Sequence, residues 1–291
     1  MKKVNLLAIL AISISLISFV GCTKSEDAVG TDASISSTAV DEAQTAGVND
    51  EVVSSADYYV NAIDASGYAA VGAIDKVTTP TTNGFKKIID GVVTVTVDRP
   101  GLNDFPKNIC IDFGTAGVTV KRGNVLKGKI YITVSGRMTV AGSTRTFLFS
   151  DFYVNDNQLK GGKTVTFKGY NDAQNPYWKI IAKDTLVRTD GSKVIWNSER
   201  VRTRILNTDV SVKYSITGSS NGINGNGVAY TMEIDPTKPL VIGTGCPYFV
   251  SGAVIITTEK RSALLDYGDG TADAIATLTI NGVTKEIKLR K

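Results

Sequence analysis

The sequence predicts an all-β fold, either an antiparallel sandwich or an extended β meander of about twelve strands, with one short N-terminal helix. From about Lys86 onward, apolar and polar residues alternate with period two in runs rich in Val, Thr, Ile and aromatic residues. Dipeptides that favour turns separate these runs. Only one segment of the chain has the three- and four-residue apolar spacing of a helix that we would assign.

Three turns support the antiparallel reading. Asn281-Gly282 lies between two alternating runs and predicts a two-residue hairpin. Asp190-Gly191 and Asn155-Asp156 separate other pairs of runs in the same way. Strands that follow one another through such short connections pair antiparallel, so residues 86–291 are predicted to form one antiparallel β domain.

Residues 50–85 are predicted to form a short helix and a connector, because six apolar residues recur at three- and four-residue spacing before Gly67. These residues are Val52, Val53, Ala56, Tyr59, Val60 and Ile63. Residues 22–49 are rich in Ser, Ala, Thr, Asp and Glu and contain almost no large apolar side chain. Such a segment buries too little surface to offset its ordering entropy, so we predict a flexible acidic tether.

The first 21 residues have the layout of a secretory signal peptide. Lys2 and Lys3 precede an apolar run over residues 6–20, and Gly21 and Cys22 follow. The run is shorter than the roughly 20 residues of a spanning helix. An uncleaved single anchor is the alternative, but a cysteine directly after a small residue favours cleavage before Cys22.

The stretch Phe19-Val20-Gly21-Cys22 resembles a bacterial lipobox. The resemblance implies a lipoprotein that carries diacylglycerol on Cys22 and, usually, a further fatty acyl chain such as palmitate. Two or three acyl chains form a stable membrane anchor. Residues 23–27 are similar to the export tag of Bacteroidetes surface lipoproteins, which implies an outer-membrane protein displayed at the cell surface. A periplasm-facing position is the alternative.

Two further resemblances concern the β domain. Residues 110–289 are similar to a group of uncharacterised Bacteroidetes lipoproteins, and this likeness implies no activity. The turn at residues 265–270 also resembles a turn of PKD-type β-sandwiches, although the rest of that pattern is missing here. We treat the second likeness as an analogy of fold.

Charge is divided unequally along the chain. Residues 22–75 contain ten acidic residues and one lysine, whereas residues 76–291 contain 29 basic and 18 acidic residues. A basic body suits anionic partners such as acidic glycans or lipopolysaccharide, and it suits nucleic acid less well in an exported protein. The alternative is that these charges serve solubility on exposed strand faces.

The chain contains no histidine. Serine and cysteine hydrolases of the histidine-assisted kind are therefore excluded, and so is the commonest transition-metal ligand. If Cys22 carries lipid, Cys110 and Cys246 remain, and an oxidising compartment predicts one disulfide between them. Two separate buried thiols are the alternative.

Asp266, Asp269 and Asp273 form an acidic turn that could hold Ca²⁺, because this hard cation takes several oxygen ligands from a short loop. No other cofactor is expected. The spacing differs from that of an EF-hand, and no glutamate closes the loop. The alternative is a hairpin turn in which the aspartates cap backbone amides.

Arg200, Arg202 and Arg204 alternate, so on a strand they share one face with Trp196. Guanidinium groups bind carboxylate, sulfate or phosphate, and tryptophan stacks on sugars, so this strip is our candidate ligand site. The alternative is a solvated face whose arginines pair with neighbouring acids. Tyr170, Tyr177 and Trp178 are a second candidate, as a carbohydrate platform in a loop.

No residues are predicted to be catalytic. The expected function is a lipid-anchored envelope or cell-surface β domain in a binding or structural role, with an anionic glycan or an envelope protein as its partner. The alternatives are an anionic glycan-binding module, and a carbohydrate-active enzyme that uses paired carboxylates.

Overall fold

The computed structural model describes residues 26–64, 77–81, 84–89, 91–98, 104–205, 212–243 and 245–290, and the side chains of those from Asp32 onward except at 62–64, 77–81 and 84–87. The prediction of an all-β class with one helix near the N-terminus is confirmed. The described residues form helix α1 (Glu26–Asp64) and seventeen strands. The first nine strands are β1 (Val77–Thr81), β2 (Gly84–Ile89), β3 (Val93–Val97), β4 (Lys107–Asp112), β5 (Val118–Thr119), β6 (Val125–Val134), β7 (Thr144–Val154), β8 (Asn157–Tyr170) and β9 (Pro176–Val187). The others are β10 (Lys193–Ile205), β11 (Lys213–Ile223), β12 (Ala229–Ile234), β13 (Leu240–Gly243), β14 (Ser251–Thr258), β15 (Ser262–Asp269), β16 (Ile275–Ile280) and β17 (Val283–Lys288).

The strands form one antiparallel sheet with the topology of a meander. Almost every strand pairs with the next strand in the chain. The exceptions are local, since β4 also pairs with β6, β11 with β13, and β12 with β14. These extra pairings leave the overall order of a meander unchanged. Of the two predicted architectures, the extended meander is therefore the one observed.

The predicted hairpins are observed. Ile280 pairs with Val283 across Asn281 and Gly282, whose φ angles are 51° and 78°. Positive φ at both central residues defines the turn that matches the twist of a two-residue hairpin. Asn155 and Asp156 connect β7 to β8 in the same way. In these turns the local sequence decides the strand register.

The prediction of a flexible tether is wrong for residues 26–49, which belong to the same helix as the short segment predicted after them. Helix α1 has 39 residues and is therefore about 58 Å long. Between Asp32 and Asn61 most of its side chains are buried, polar and apolar alike. The composition of this segment shows only how much apolar surface it can bury. It does not show the polar partners that the sheet provides for the helix, such as Arg188 for Asp41 and Arg200 for Glu42.

The sheet curves around α1. Side chains from β7, β8, β10 and β12, and from connections elsewhere in the sheet, form hydrogen bonds to the helix. These side chains include Arg122, Arg145, Lys163, Arg188, Arg200 and Tyr230. Bulges contribute to the curvature, because a residue inserted in one strand bends it. At Gly128 the φ angle is 82°, and an added Cβ would lie 1.9 Å from the carbonyl oxygen of Asp151.

The helix passes through two hydrophobic cores. Its C-terminal half, from Val48 to Val60, packs with the inner faces of β2–β10. Its N-terminal half, from Ile35 to Ala46, packs with the inner faces of β9–β17. Each half of the meander thus buries its apolar residues against a different half of the helix, which joins the two cores.

Glu42 of α1 is held by three donors from the sheet. Its Oε2 accepts hydrogen bonds from Trp196 Nε1 and from the Tyr230 hydroxyl, each at 2.8 Å. Its Oε1 accepts a hydrogen bond from Arg200 Nη2, also at 2.8 Å. The side chains of Glu42 and Arg200 are almost fully buried. Burial and the nearby Glu42 carboxylate raise the pKa of Tyr230, so its hydroxyl remains a donor.

Two other helix carboxylates are paired in the same manner. Asp41 accepts from Arg188 Nη2 at 2.5 Å and from the backbone amide of Gly225 at 2.8 Å. Asp50 accepts from Arg122 Nη1 at 2.7 Å. Burial alone would raise the pKa of Asp50, but Arg202 and Arg122 outweigh it and hold that pKa below its usual value. The acidic segment and the basic body are therefore partners within one chain.

The prediction of a disulfide is wrong, because Cys110 and Cys246 are both free thiols. Cys110 lies on β4, whose neighbours are β3 and β6. Cys246 lies in the connection from β13 to β14, in the other half of the meander. The cysteine count could not reveal this separation. Of the alternative, two separate buried thiols, the separation is observed, but only Cys246 is buried and Cys110 is half-buried.

The predicted signal peptide and Cys22 lie outside the described residues, as does most of the predicted connector. Among the residues that are described, no helix has the length and apolar character needed to cross a membrane.

We expect Glu42→Gln to lower the free energy of unfolding by about 3–5 kcal/mol, because it leaves the buried Arg200 guanidinium without a counter-charge. Glu199→Gln is the matched control, since that carboxylate pairs with Lys179 in an exposed position and should contribute at most about 1 kcal/mol. Urea denaturation of both variants measures the difference. Equal losses of unfolding free energy in the two variants would contradict the expectation that the buried pair stabilises the protein more than the exposed pair.

Candidate functional site

A cavity of about 510 Å³ opens beside the C-terminal part of α1. Its lining comes from the helix, from β4 and β6–β11, and from the connections that follow β3 and β6. The volume falls within the range of sites that bind small molecules. Two other cavities beside α1 measure only about 20 and 30 Å³, so we treat this one as the candidate site.

The floor of the cavity combines buried cations with apolar side chains. Lys107 and Arg145 are only 4% and 5% exposed. Ile109, Val134 and Phe167 lie beside them in the lining and are also buried. Charged groups with so little access to water attract a counter-ion strongly, because the surrounding dielectric constant is low.

Asp57 is the one carboxylate among the described lining residues. It accepts a hydrogen bond from Arg145 Nη1, and its other oxygen lies 3.3 Å from Arg202 Nη1. Arg145 Nε is buried and has no hydrogen-bond partner among the described residues. The guanidinium of Arg145 thus retains a donor that Asp57 does not satisfy.

The rim of the cavity carries exposed cationic and aromatic groups. Arg137, Arg204 and Tyr170 are exposed, whereas Trp178 is partly buried. The Phe167 ring lies 5.7 Å from that of Trp178 and 5.8 Å from that of Tyr170, between centroids, so the floor and the rim share one aromatic cluster. Together, four cationic side chains and one carboxylate line the cavity, which gives it a positive potential.

The predicted arginine strip is divided between the helix and the cavity. The alternation did place Trp196, Arg200, Arg202 and Arg204 on the inner face of β10. Trp196, Arg200 and Arg202 are buried against α1, and the carboxylates they contact belong to Glu42, Asp50 and Asp57. Arg204, further along the strand, lines the cavity. The strip thus contacts anions of the same chain at three of its four positions.

The predicted aromatic platform is also partly assembled. Tyr170 and Trp178 line the cavity, whereas Tyr177 is not among the lining residues. In the folded protein these two aromatic residues line the same cavity as Arg137 and Arg204, although the four residues are far apart in the sequence.

The aspartates of the predicted calcium site each form local bonds. Asp266 accepts from the Gly268 amide, Asp269 from the Thr271 amide, and Asp273 from the Ile275 amide. These are the capping bonds expected of a hairpin turn. No group of three acidic, cysteine or histidine residues suited to a metal ion is found in the described part of the chain.

Sequence reasoning missed Lys107, Arg137 and Arg145 as site residues. A signal was available for Arg145, because it alternates with Phe147 and therefore points inward from β7. A cation on the apolar face of a strand requires an anionic partner inside the protein. Lys107 offers the same signal, because it alternates with the buried Ile109 and Ile111 on β4. Arg137 offers none, since it lies in the connection that follows β6.

Comparisons of the chain with protein-family models, with curated proteins and with solved structures give no match. The chemistry of the cavity is therefore the basis on which we infer function.

A second cluster with shifted pKa values lies within the protein. Lys163 Nζ is 3.4 Å from Asp184 Oδ2, and both side chains are fully buried. Burial lowers the pKa of Lys163 and raises that of Asp184, although each charge partly offsets the shift of the other. Lys163 also donates a hydrogen bond to Asn49 of α1. Because neither side chain reaches solvent, we assign this pair a role in stability and not in binding.

We expect Lys163→Met and Asp184→Val each to lower the free energy of unfolding by about 3–5 kcal/mol, because each leaves one buried charge unpaired. The double variant should lose less than either single variant, since no charge then remains. Urea denaturation of the four proteins gives the coupling energy. Additive losses would show that the two groups do not stabilise each other.

Proposed function

We propose that this protein is an exported, lipid-anchored envelope protein whose β domain binds a small anionic ligand in the cavity, without catalysis. The observation that carries this proposal is the lining of the cavity, in which four cationic side chains accompany one carboxylate among the described residues. A cavity with this charge balance binds an anion at low cost, because the cations are already in place.

The cavity favours binding over hydrolysis of a glycoside. Hydrolysis by paired carboxylates needs an acid and a second carboxylate about 5–10 Å apart around the bond that is cleaved. Among the described lining residues Asp57 is the one carboxylate, and two arginines engage it. The described lining thus offers one carboxylate, already paired, where this chemistry needs two.

The proposed anchor and the cavity belong to opposite ends of α1. The helix begins four residues after Cys22, the proposed lipid site, whereas Asp57 at the cavity lies near its other end. Asp57 is about 38 Å along the helix axis from Asp32. A lipid on Cys22 would thus hold the domain with its cavity directed away from the membrane.

A second candidate function is recognition of an acidic glycan. Trp178 and Tyr170 at the rim favour it, because aromatic rings stack on sugar faces. Arg137 and Arg204 could then bind the carboxylates or sulfates of the glycan.

We expect at least one of three anionic probes, which are sodium decanoate, a galacturonate trimer and inorganic phosphate, to bind the full chain in calorimetric titrations. Arg137→Gln with Arg204→Gln should weaken that binding at least tenfold, because both cations lie at the rim. Lys183→Gln is the control, since it removes an exposed charge on β9 that does not line the cavity. Failure of all three probes to bind, or equal losses in both variants, would contradict the proposed function.

The proposed lipid anchor and location in the cell envelope can be tested separately. Cells grown with labelled palmitate should label the wild-type protein, whereas Cys22→Ser should abolish the label and release the protein from the membrane fraction. Protease treatment of intact cells should then remove the β domain if it is displayed at the surface. Protection until the outer membrane is opened would instead indicate a periplasm-facing domain. Labelling of the Cys22→Ser variant would contradict the lipid anchor.

A further inference from the structure

We infer that Lys163 and Asn49 form an intramolecular amide bond, with Asp184 as the proton carrier and ammonia as the released product. The bond joins α1 to β8 in the interior of the protein. None of the three residues lines the candidate site, so this inference is independent of the proposed function.

The three side chains meet where water does not reach them. Lys163 lies on the inner face of β8 and Asp184 on the inner face of β9, and neither side chain is exposed. Asn49 of α1 is 6% exposed and accepts a hydrogen bond from Lys163 Nζ. Asp184 Oδ2 lies 3.4 Å from the same nitrogen. An amine, a carboxamide and a carboxyl group are thus in contact at one buried point.

Burial makes Lys163 a suitable nucleophile. It lowers the pKa of this ammonium group and raises the pKa of the Asp184 carboxyl group. Lys163 and the Asn49 side chain partly offset the rise at Asp184, so both lie close to its carboxyl group. An apolar interior favours the neutral forms of both groups, and a neutral lysine amine is the form that attacks a carbonyl carbon.

The carboxamide of Asn49 is held in place by two hydrogen bonds. Its Nδ2 donates to the Thr45 backbone oxygen at 3.0 Å, and its Oδ1 accepts from Lys163 Nζ. The amine therefore lies against the group that it attacks, and no diffusive encounter is needed. Such fixed contact accelerates bond formation between two groups that would react very slowly in solution.

The reaction balances without any further reactant. A proton moves from the Lys163 ammonium to Asp184, which leaves a neutral amine and a carboxylic acid. The lone pair of Nζ forms a bond to Cγ of Asn49, and the bond between Cγ and Nδ2 breaks. Asp184 carries one proton from Nζ to Nδ2, so that Nδ2 leaves as ammonia and Asp184 is again a carboxylic acid. The small cavity of about 30 Å³ that Asn49 lines has room for a molecule of this size.

The bond stabilises the fold in two ways. Asn49 and Lys163 are 114 positions apart, and a cross-link over so long a segment restricts the unfolded chain. The amide and the carboxylic acid are both neutral, so the reaction also removes two charges from an interior in which charge is costly.

The deciding experiment is a tryptic digest of the denatured full chain under reducing conditions, analysed by mass spectrometry. Trypsin cuts after lysine and arginine, so an unlinked chain gives separate peptides 25–76 and 161–163. Trypsin does not cut after Lys163 when its amine is part of an amide. We therefore expect peptide 161–168 joined to peptide 25–76, at the sum of their masses less one ammonia, with fragmentation placing the bond at Asn49.

Four variants test the role of each group. Lys163→Arg, Asn49→Ala and Asp184→Asn should each lose the linked peptide, because they remove the amine, the carboxamide and the proton carrier. Lys183→Arg is the control, since it replaces an exposed lysine of β9 and should keep the link. Circular dichroism verifies that each variant folds.

The wild-type digest decides the inference even if a variant fails to fold. Recovery of the wild-type chain only as unlinked peptides 25–76 and 161–163 would overturn it, and so would a link that joins peptide 25–76 to another lysine. A link that persists in Asp184→Asn would overturn the role of Asp184 as the proton carrier.

Discussion

The buried carboxylates of α1 are the constraint on which the rest of the structure depends. A helix with Asp41, Glu42 and Asp50 in the protein interior is stable only if each charge has a partner, because unpaired buried charges cost several kcal/mol. The sheet provides those partners as Arg200 on β10, and as Arg188 and Arg122 in connections between strands. These pairs fix both the position of the helix and the rotation of its faces relative to the strands.

The meander and the helix are therefore complementary parts. Each strand pairs with its neighbours through the backbone, and its inward side chains, apolar or cationic, face a helix that has polar groups on all sides. The unequal charge distribution along the chain follows from this arrangement. Part of the charge that suggested an external anionic partner, on Arg122, Arg188, Arg200 and Arg202, is paired with helix carboxylates inside the protein.

The cavity arises where the pairing of α1 with the sheet ends. Arg202 still pairs with Asp50 and Asp57, whereas Arg204, two residues further along β10, is exposed and lines the open space. Arg145 lies between these situations, with Asp57 on one side and an unsatisfied Nε on the other. On the inner face of β10, Arg200 and Arg202 thus stabilise the packing of the helix, whereas Arg204 is available for the proposed binding.

The sequence by itself determined the all-β class, the antiparallel pairing of neighbouring strands and the turns at Asn281-Gly282 and Asn155-Asp156, because period-two alternation and turn geometry are local properties. It predicted about twelve strands where seventeen are observed and left the choice between sandwich and meander open. It also placed Trp196 and the three arginines on one face of one strand. Only the tertiary structure decided that residues 26–49 are helical and that Cys110 and Cys246 are apart. It also decided that Lys107, Arg145 and Trp178 meet around one cavity. These outcomes depend on partners far away in the chain, and a polar helix becomes stable only when those partners surround it.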